Sequence, residues 1–201
     1  IGGDRRDAVG GAGGQGLGQV AAPIAAAIAA LFAALFTAAG VEFDAALADA
    51  VVSSVVSDSR EVRKDAVFVA IDGLTHKGSD HAAAAIAAGA VFVVAGRPLS
   101  AGVPHVVVPE PRLALGALAD VFWGRPSAHM KVVAVTGTNG KTTVASLFRQ
   151  IAAFAGNRSA SIGTLGVVTD ATTQPGSMTT PDCAELHKTL ADLVAQGVTH
   201  V

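Results

Sequence analysis

Residues 136–143 read TGTNGKTT, which sets a lysine and two hydroxyls directly behind a glycine. Glycines let a backbone approach an anion closely enough for successive N–H groups to converge on its oxygens. Lys141 can then reach the β- and γ-phosphates of a nucleotide, and the Thr142 hydroxyl can ligate Mg²⁺. Phosphates and waters fill most of the octahedron around Mg²⁺, so it needs few protein ligands. The common phosphate loop places a glycine five residues before Gly140, where this chain has Val135; the nearest upstream glycine is Gly137. An ordinary turn with a solvated lysine is the alternative. A lysine flanked by glycine and two threonines between an apolar run and a helical pattern argues against it.

Such a loop needs a strand before it and a helix behind it. Residues 131–135 (KVVAV) supply the strand, and 142–155 read as the helix, with Val144, Leu147, Phe148 and Ile151 on one face. The helix dipole then favours an anion beside residues 141–143. Upstream, residues 67–71, 91–94 and 105–108 read as strands, and 81–88 as a short helix stopped by Gly89. Leu113, Leu115, Leu118, Val121 and Phe122 follow at roughly helical spacing. Downstream, 161–166 reads as strand or turn and 169–178 as a polar loop. A last helix follows, with Pro181 at its first position and Leu186, Leu190, Leu193 and Val194 as its apolar face, and Gly197 ends it. Residues 198–201 begin another strand. Strands separated by helices predict an α/β protein with buried, mostly parallel sheets.

The 201 residues suffice for one large domain or two small ones. A net charge of −2, with no basic run among aromatics, gives no reason to expect nucleic acid as a partner. The single cysteine, Cys183, excludes an intramolecular disulfide and a Cys-rich metal site, and suits a reducing compartment. Residues 2–18 are Gly-rich without periodicity, and 20–41 carry no charge. That second stretch is long enough to span a membrane, but it is mostly alanine. A soluble Ala-rich helix is the expected reading, with a membrane or export segment as the alternative. The Pro109-Glu110-Pro111 run suggests a boundary. The expected organisation is thus an arm and helix of unclear role over 1–42, one domain over 43–109 and a second over 110–201.

TGTNGKTT resembles the shortened nucleotide loop of the Mur ligase family, the ATP-dependent amide ligases that build the peptide of peptidoglycan. Folylpolyglutamate synthases carry a similar loop. Asp58-Ser59-Arg60, followed by Phe68-Val69-Ala70 and Gly73, resembles the amino-terminal domain shared by the enzymes that add the third amino acid and the terminal dipeptide. Residues 162–166 (IGTLG) and Thr179-Thr180-Pro181 resemble the third-residue branch, and the Asn-rich segment of the terminal-dipeptide branch is missing. The resemblance covers residues 57–201. It implies a small α/β UDP-substrate-binding domain followed by a truncated ATPase domain.

What the resemblance implies can be set beside the residues. Ser57 and Ser59, with Leu74, Thr75 and His76, would bind the UDP end of the substrate. Gly137, Thr138, Asn139, Gly140, Lys141, Thr142 and Thr143 would hold ATP, with Thr142 on Mg²⁺ and Lys141 as the catalytic charge. Thr179 and Thr180 would contact the muramoyl-peptide. Read without the family, the serines are equally turn residues, His76 a solvated side chain and Thr180 a helix N-cap. The implied reaction phosphorylates the D-glutamate carboxylate of UDP-MurNAc-L-Ala-D-Glu, and the incoming amino acid's amine then displaces phosphate. A monomeric, cytoplasmic enzyme is expected. The terminal-dipeptide ligase, or a nucleotide-dependent ATPase or binding module unrelated to the cell wall, are the alternatives.

The chain departs from the family pattern at Asp65-Ala66, where a Gly-Asp turn is usual, and at Lys77, where an acidic residue is usual. The Glu-Val-Ser-Ser-His stretch, the modified lysine and the carboxy-terminal domain would follow Val201. As a fragment, the chain is not expected to catalyse ligation alone.

Overall fold

The computed structural model describes residues 30, 52–73, 77–175 and 180–201. The segment 1–42, Ala30 apart, lies outside them, as do Leu74, Thr75, His76 and Thr179.

The first unit is a four-stranded parallel sheet in the order β1 (Ser54–Val56), β2 (Ala66–Ala70), β3 (Ala90–Ala95), β4 (His105–Val107). Successive side chains of a strand point to opposite faces. Val55, Val67, Val69, Phe92, Val94 and Val106 accordingly meet helix α2 (Pro111–Phe122), whose Leu115, Leu118 and Val121 complete that core. Val56, Phe68, Ala70, Val93 and Ala95 face the other way, onto α1 (Ala82–Ala87). With both faces covered, β2 and β3 are continuous apolar runs rather than alternating ones. Phe68, Val93 and Val94 are fully buried. Helix α1 is preceded by a 3-10 turn, Gly78–His81, so the helix proper starts one residue later than the sequence suggested. Because α2 shares a core with β1–β4, the Pro109–Pro111 run lies inside one packed unit.

The second unit is built round α3 (Lys141–Phe154) and α4 (Cys183–Ala195). Residues 131–133 run parallel to 199–201, with Lys131 N–H donating to Thr199 O at 2.8 Å and Val133 N–H to Val201 O at 2.9 Å. On the other side of 199–201 lies the start of β5 (Ala160–Gly163), whose Ala160 N–H donates to His200 O at 2.9 Å. β5 then turns into an antiparallel ladder with β6 (Gly166–Thr169) and β7 (Thr173–Gln174). The strand expected over 131–135 is therefore paired only at its beginning, and Val132 and Val133 are about half exposed.

Helix α4 begins at Cys183, capped by Asp182, whose carboxylate accepts from Glu185 N–H at 2.9 Å. Neither Pro181 as first helical residue nor Thr180 as cap holds. A carboxylate beside the helix start outcompetes a threonine two residues earlier. α4 packs across α2, where a side chain at Gly116 would meet Cys183 Sγ at 3.5 Å and His187 Nε2 stands 3.8 Å from Asp120 Oδ1. Among the described residues, no helix is long and apolar enough to cross a membrane.

Candidate functional site

Parallel strands direct all their carboxyl ends to one edge of the sheet, and the loops that follow β1, β2 and β3 leave from that edge. At the end of β1, Ser57 and Ser59 are half-buried on either side of Asp58. Asp58 accepts from Arg60 N–H at 2.9 Å and caps the 3-10 turn Ser59–Glu61. The Arg60 guanidinium folds onto the same carboxylate. That side-chain pairing, followed by the backbone hydrogen bond, lowers the Asp58 pKa to about 2. Asp58 and Arg60 thus satisfy each other and fix the backbone that presents the two serines.

At the neighbouring ends of β2 and β3, Asp72 and Arg97 form a second constellation. Asp72 Oδ1 accepts from Ser79 N–H at 3.0 Å and from the Ser79 hydroxyl at 2.7 Å. Arg97 bridges Asp72 at 3.3 Å and Asp80 at 2.9 Å. The Ser79 N–H and hydroxyl, with Arg97 behind them, hold the Asp72 carboxyl below its ordinary range. The base of the loop carrying Leu74, Thr75 and His76 is therefore pinned from two strands. Sequence reasoning missed this network. Its one visible signal is that Asp72 and Arg97 each fall two residues past an apolar strand run.

Residues 136–140, the candidate phosphate loop, are open to solvent. Gly140, the N-cap of α3, adopts the left-handed region at φ 79° and offers no side chain to the helix start. Without a side-chain cap, the first-turn N–H groups of α3 remain free to meet an anion. Lys141 Nζ donates to Gly137 O at 2.6 Å, lying back across its own loop. Thr142 Oγ1 stands 3.1 Å from Thr164 Oγ1, in the turn between β5 and β6. A cavity of about 550 Å³ opens here, lined by Gly137, Lys141, Thr142, Thr164 and Thr180 above apolar residues such as Phe148. The structure thus brings Thr180 to the same cavity as Lys141 and Thr142. Thr138, Asn139, Gly140 and Thr143 form the exposed rim and helix start. An uncapped helix start, a lysine and a hydroxyl at one cavity fit a Mg²⁺-bound triphosphate, with Thr142 as the side chain that would hold the cation.

Cys183 and His187 form no catalytic pair. His187 Nδ1 lies 2.8 Å from Cys183 O, so it donates there and cannot accept the thiol proton. Burial, with Asp182 adding to it, raises the Cys183 pKa.

Two family models match the chain: "Mur ligase family, catalytic domain" over residues 51–123 and "Mur ligase middle domain" over 135–201. The chain belongs to the Mur ligase family. The first matched stretch of this Mur ligase takes in the four-stranded sheet and α2, and the second takes in α3, the β5–β7 ladder and α4. A curated relative, UDP-N-acetylmuramoyl-L-alanyl-D-glutamate–2,6-diaminopimelate ligase of Agrobacterium fabrum, is 46% identical over 149 residues, covering 74% of this chain and 30% of its own. The enzyme of the same name from Geobacillus thermodenitrificans is 42% identical over 144 residues, covering 72% of this chain and 29% of its own. A solved structure with that name superposes with a TM-score of 0.68 at 27% identity, covering 83% of this chain and 34% of that one. The Mur ligase chain described here therefore spans about 30% of the length of these curated relatives.

Proposed function

We propose that this chain is the UDP-substrate-binding and ATP-binding part of a ligase that adds the third amino acid to UDP-MurNAc-L-Ala-D-Glu. The observation that carries this reading is the convergence of Lys141, Thr142 and Thr180 on one cavity at an uncapped helix start. The relatives' names supply the substrate and point to 2,6-diaminopimelate as the added amino acid. ATP and UDP-activated precursors, together with a lone unpaired cysteine, suit a cytoplasmic site of action. We further propose that the substrate unit runs through α2, ending near residue 124.

In this reading the α-phosphate end of ATP rests on the first-turn N–H groups of α3. Lys141 leaves Gly137 O and takes the β- and γ-phosphate oxygens instead. A Mg²⁺ ion, when bound, would offset charge on the transferring phosphoryl group, with Thr142 as its protein ligand. The γ-phosphoryl group passes to the D-glutamate side-chain carboxylate, giving an acyl phosphate and ADP. The amino acid's amine then displaces inorganic phosphate and loses a proton. Thr180 and Thr179 orient the peptide end, while Ser57, Ser59 and the pinned loop at Asp72 hold the UDP end. The protein's share is positioning and charge stabilisation, with no side-chain nucleophile.

Titration calorimetry of the chain with UDP-MurNAc-L-Ala-D-Glu and, separately, with the UDP-MurNAc-tripeptide tests the assignment. Preferential binding of the dipeptide compound is expected. Preference for the tripeptide, or no binding of either by folded protein, would sink it.

A further inference from the structure

Thr164 belongs to the turn of the β5–β6 ladder, where Gly163 pairs with Gly166 and only residues 164 and 165 lie between. The strand below that turn is anchored. Ala160 N–H donates to His200 O at 2.9 Å, and the Ser159 hydroxyl donates to Arg149 O of α3 at 2.8 Å. The second of these bonds ties β5 to the helix that Thr142 begins. A two-residue turn on an anchored strand therefore delivers the Thr164 hydroxyl to within 3.1 Å of Thr142 Oγ1, twenty-two residues away in sequence. Both hydroxyls line the cavity that also holds Lys141 and Gly137.

A threonine hydroxyl has one hydrogen and two lone pairs. To ligate a cation it must turn a lone pair to the metal and send its hydrogen elsewhere. We propose that Thr164 is a positioning residue for the cation at this site: its oxygen accepts the Thr142 hydrogen and turns the Thr142 lone pairs toward the metal. Thr164 does not itself touch the cation. The inference rests on Thr142 being the protein ligand, and it adds a residue from the β5–β6 turn to a site otherwise built from the loop and α3. A threonine kept only for turn geometry would not need its hydroxyl aimed at another element.

The test compares ATP binding to the full chain with Mg²⁺ and with EDTA, by titration calorimetry, for the parent, Thr164→Val and Thr164→Ser. Valine keeps the shape of threonine without the hydroxyl, and residue 164 is solvent-exposed, so the fold tolerates it. Melting curves of each variant check this. Thr164→Val should weaken Mg-ATP binding about ten-fold and leave metal-free ATP binding unchanged, and Thr164→Ser should restore the parent value. Equal Mg-ATP affinity in Thr164→Val and parent would overturn the inference alone. So would an equal loss with and without Mg²⁺. A parent whose ATP affinity does not rise with Mg²⁺ would overturn the Thr142 reading itself, and this inference with it.

Discussion

Lys141 Nζ donates to the carbonyl oxygen of Gly137 at 2.6 Å, so the ammonium group that the proposed function assigns to phosphate lies on its own loop. Binding a triphosphate exchanges one charge-assisted acceptor for stronger ones, and the loop carbonyl returns to water. Lys141→Met keeps the side-chain length and removes the charge. ATP affinity should fall about 10- to 100-fold with the melting temperature unchanged, as read by calorimetry and a thermal scan.

Gly78 sits where the loop leaving β2 turns back on itself, and a Cβ there would lie 2.6 Å from Ile71 N and 2.7 Å from Ile71 O. Backbone atoms cannot step aside as a side-chain tip can. Gly78→Ala should cost about 2 kcal/mol in denaturant unfolding and also weaken binding of the UDP compound, since Ser79 anchors the same loop through Asp72.

The Asp58 pKa, lowered from 3.8 to about 2 chiefly by the Arg60 side chain, sets a pH dependence. A depressed carboxyl pKa contributes stability above its unfolded value, and that contribution disappears as pH falls through the folded value. The parent should therefore melt above Asp58→Asn at pH 5, with the gap closing between about pH 4 and about pH 2. A gap that widens on acidification would contradict the assignment.

Leu118 is fully buried between α2 and the first sheet, whereas Phe154 at the end of α3 is 95% exposed. Leu118→Ala should cost about 3 kcal/mol, and Phe154→Ser less than about 0.5 kcal/mol. Paired urea titrations decide both.

Of the first sheet, β2, β3 and β4 were legible, β2 and β3 because they are buried on both faces and a run such as Val67-Phe68-Val69-Ala70 declares that directly, whereas the three-residue β1 was not read as a strand. The candidate phosphate loop stood out because its glycines, lysine and threonines are contiguous, and α3 starts at Lys141 directly behind them. Residues 131–135 were read as a strand because their apolar run is continuous, and residues 131–133 pair with 199–201. The periodicity of α3 was right, but Val144, Leu147 and Ile151 are half or more exposed. Spacing reports which residues share a face, not whether anything covers it. The Asp72–Ser79–Arg97 network and the Thr142–Thr164 pair were not legible at all. Arg97 lies 25 residues from Asp72 and Thr164 lies 22 from Thr142, and only the packing of the strands and of α3 brings each pair together.

The most direct measurement is amide hydrogen exchange of the chain alone, with Mg-ATP, and with UDP-MurNAc-L-Ala-D-Glu. Mg-ATP should slow exchange in residues 136–143 and in the turn at 161–166, while the UDP compound should slow it in residues 57–61. Unchanged exchange at 57–61 with the UDP compound, or at 136–143 with Mg-ATP, would contradict the two-ligand reading of this chain.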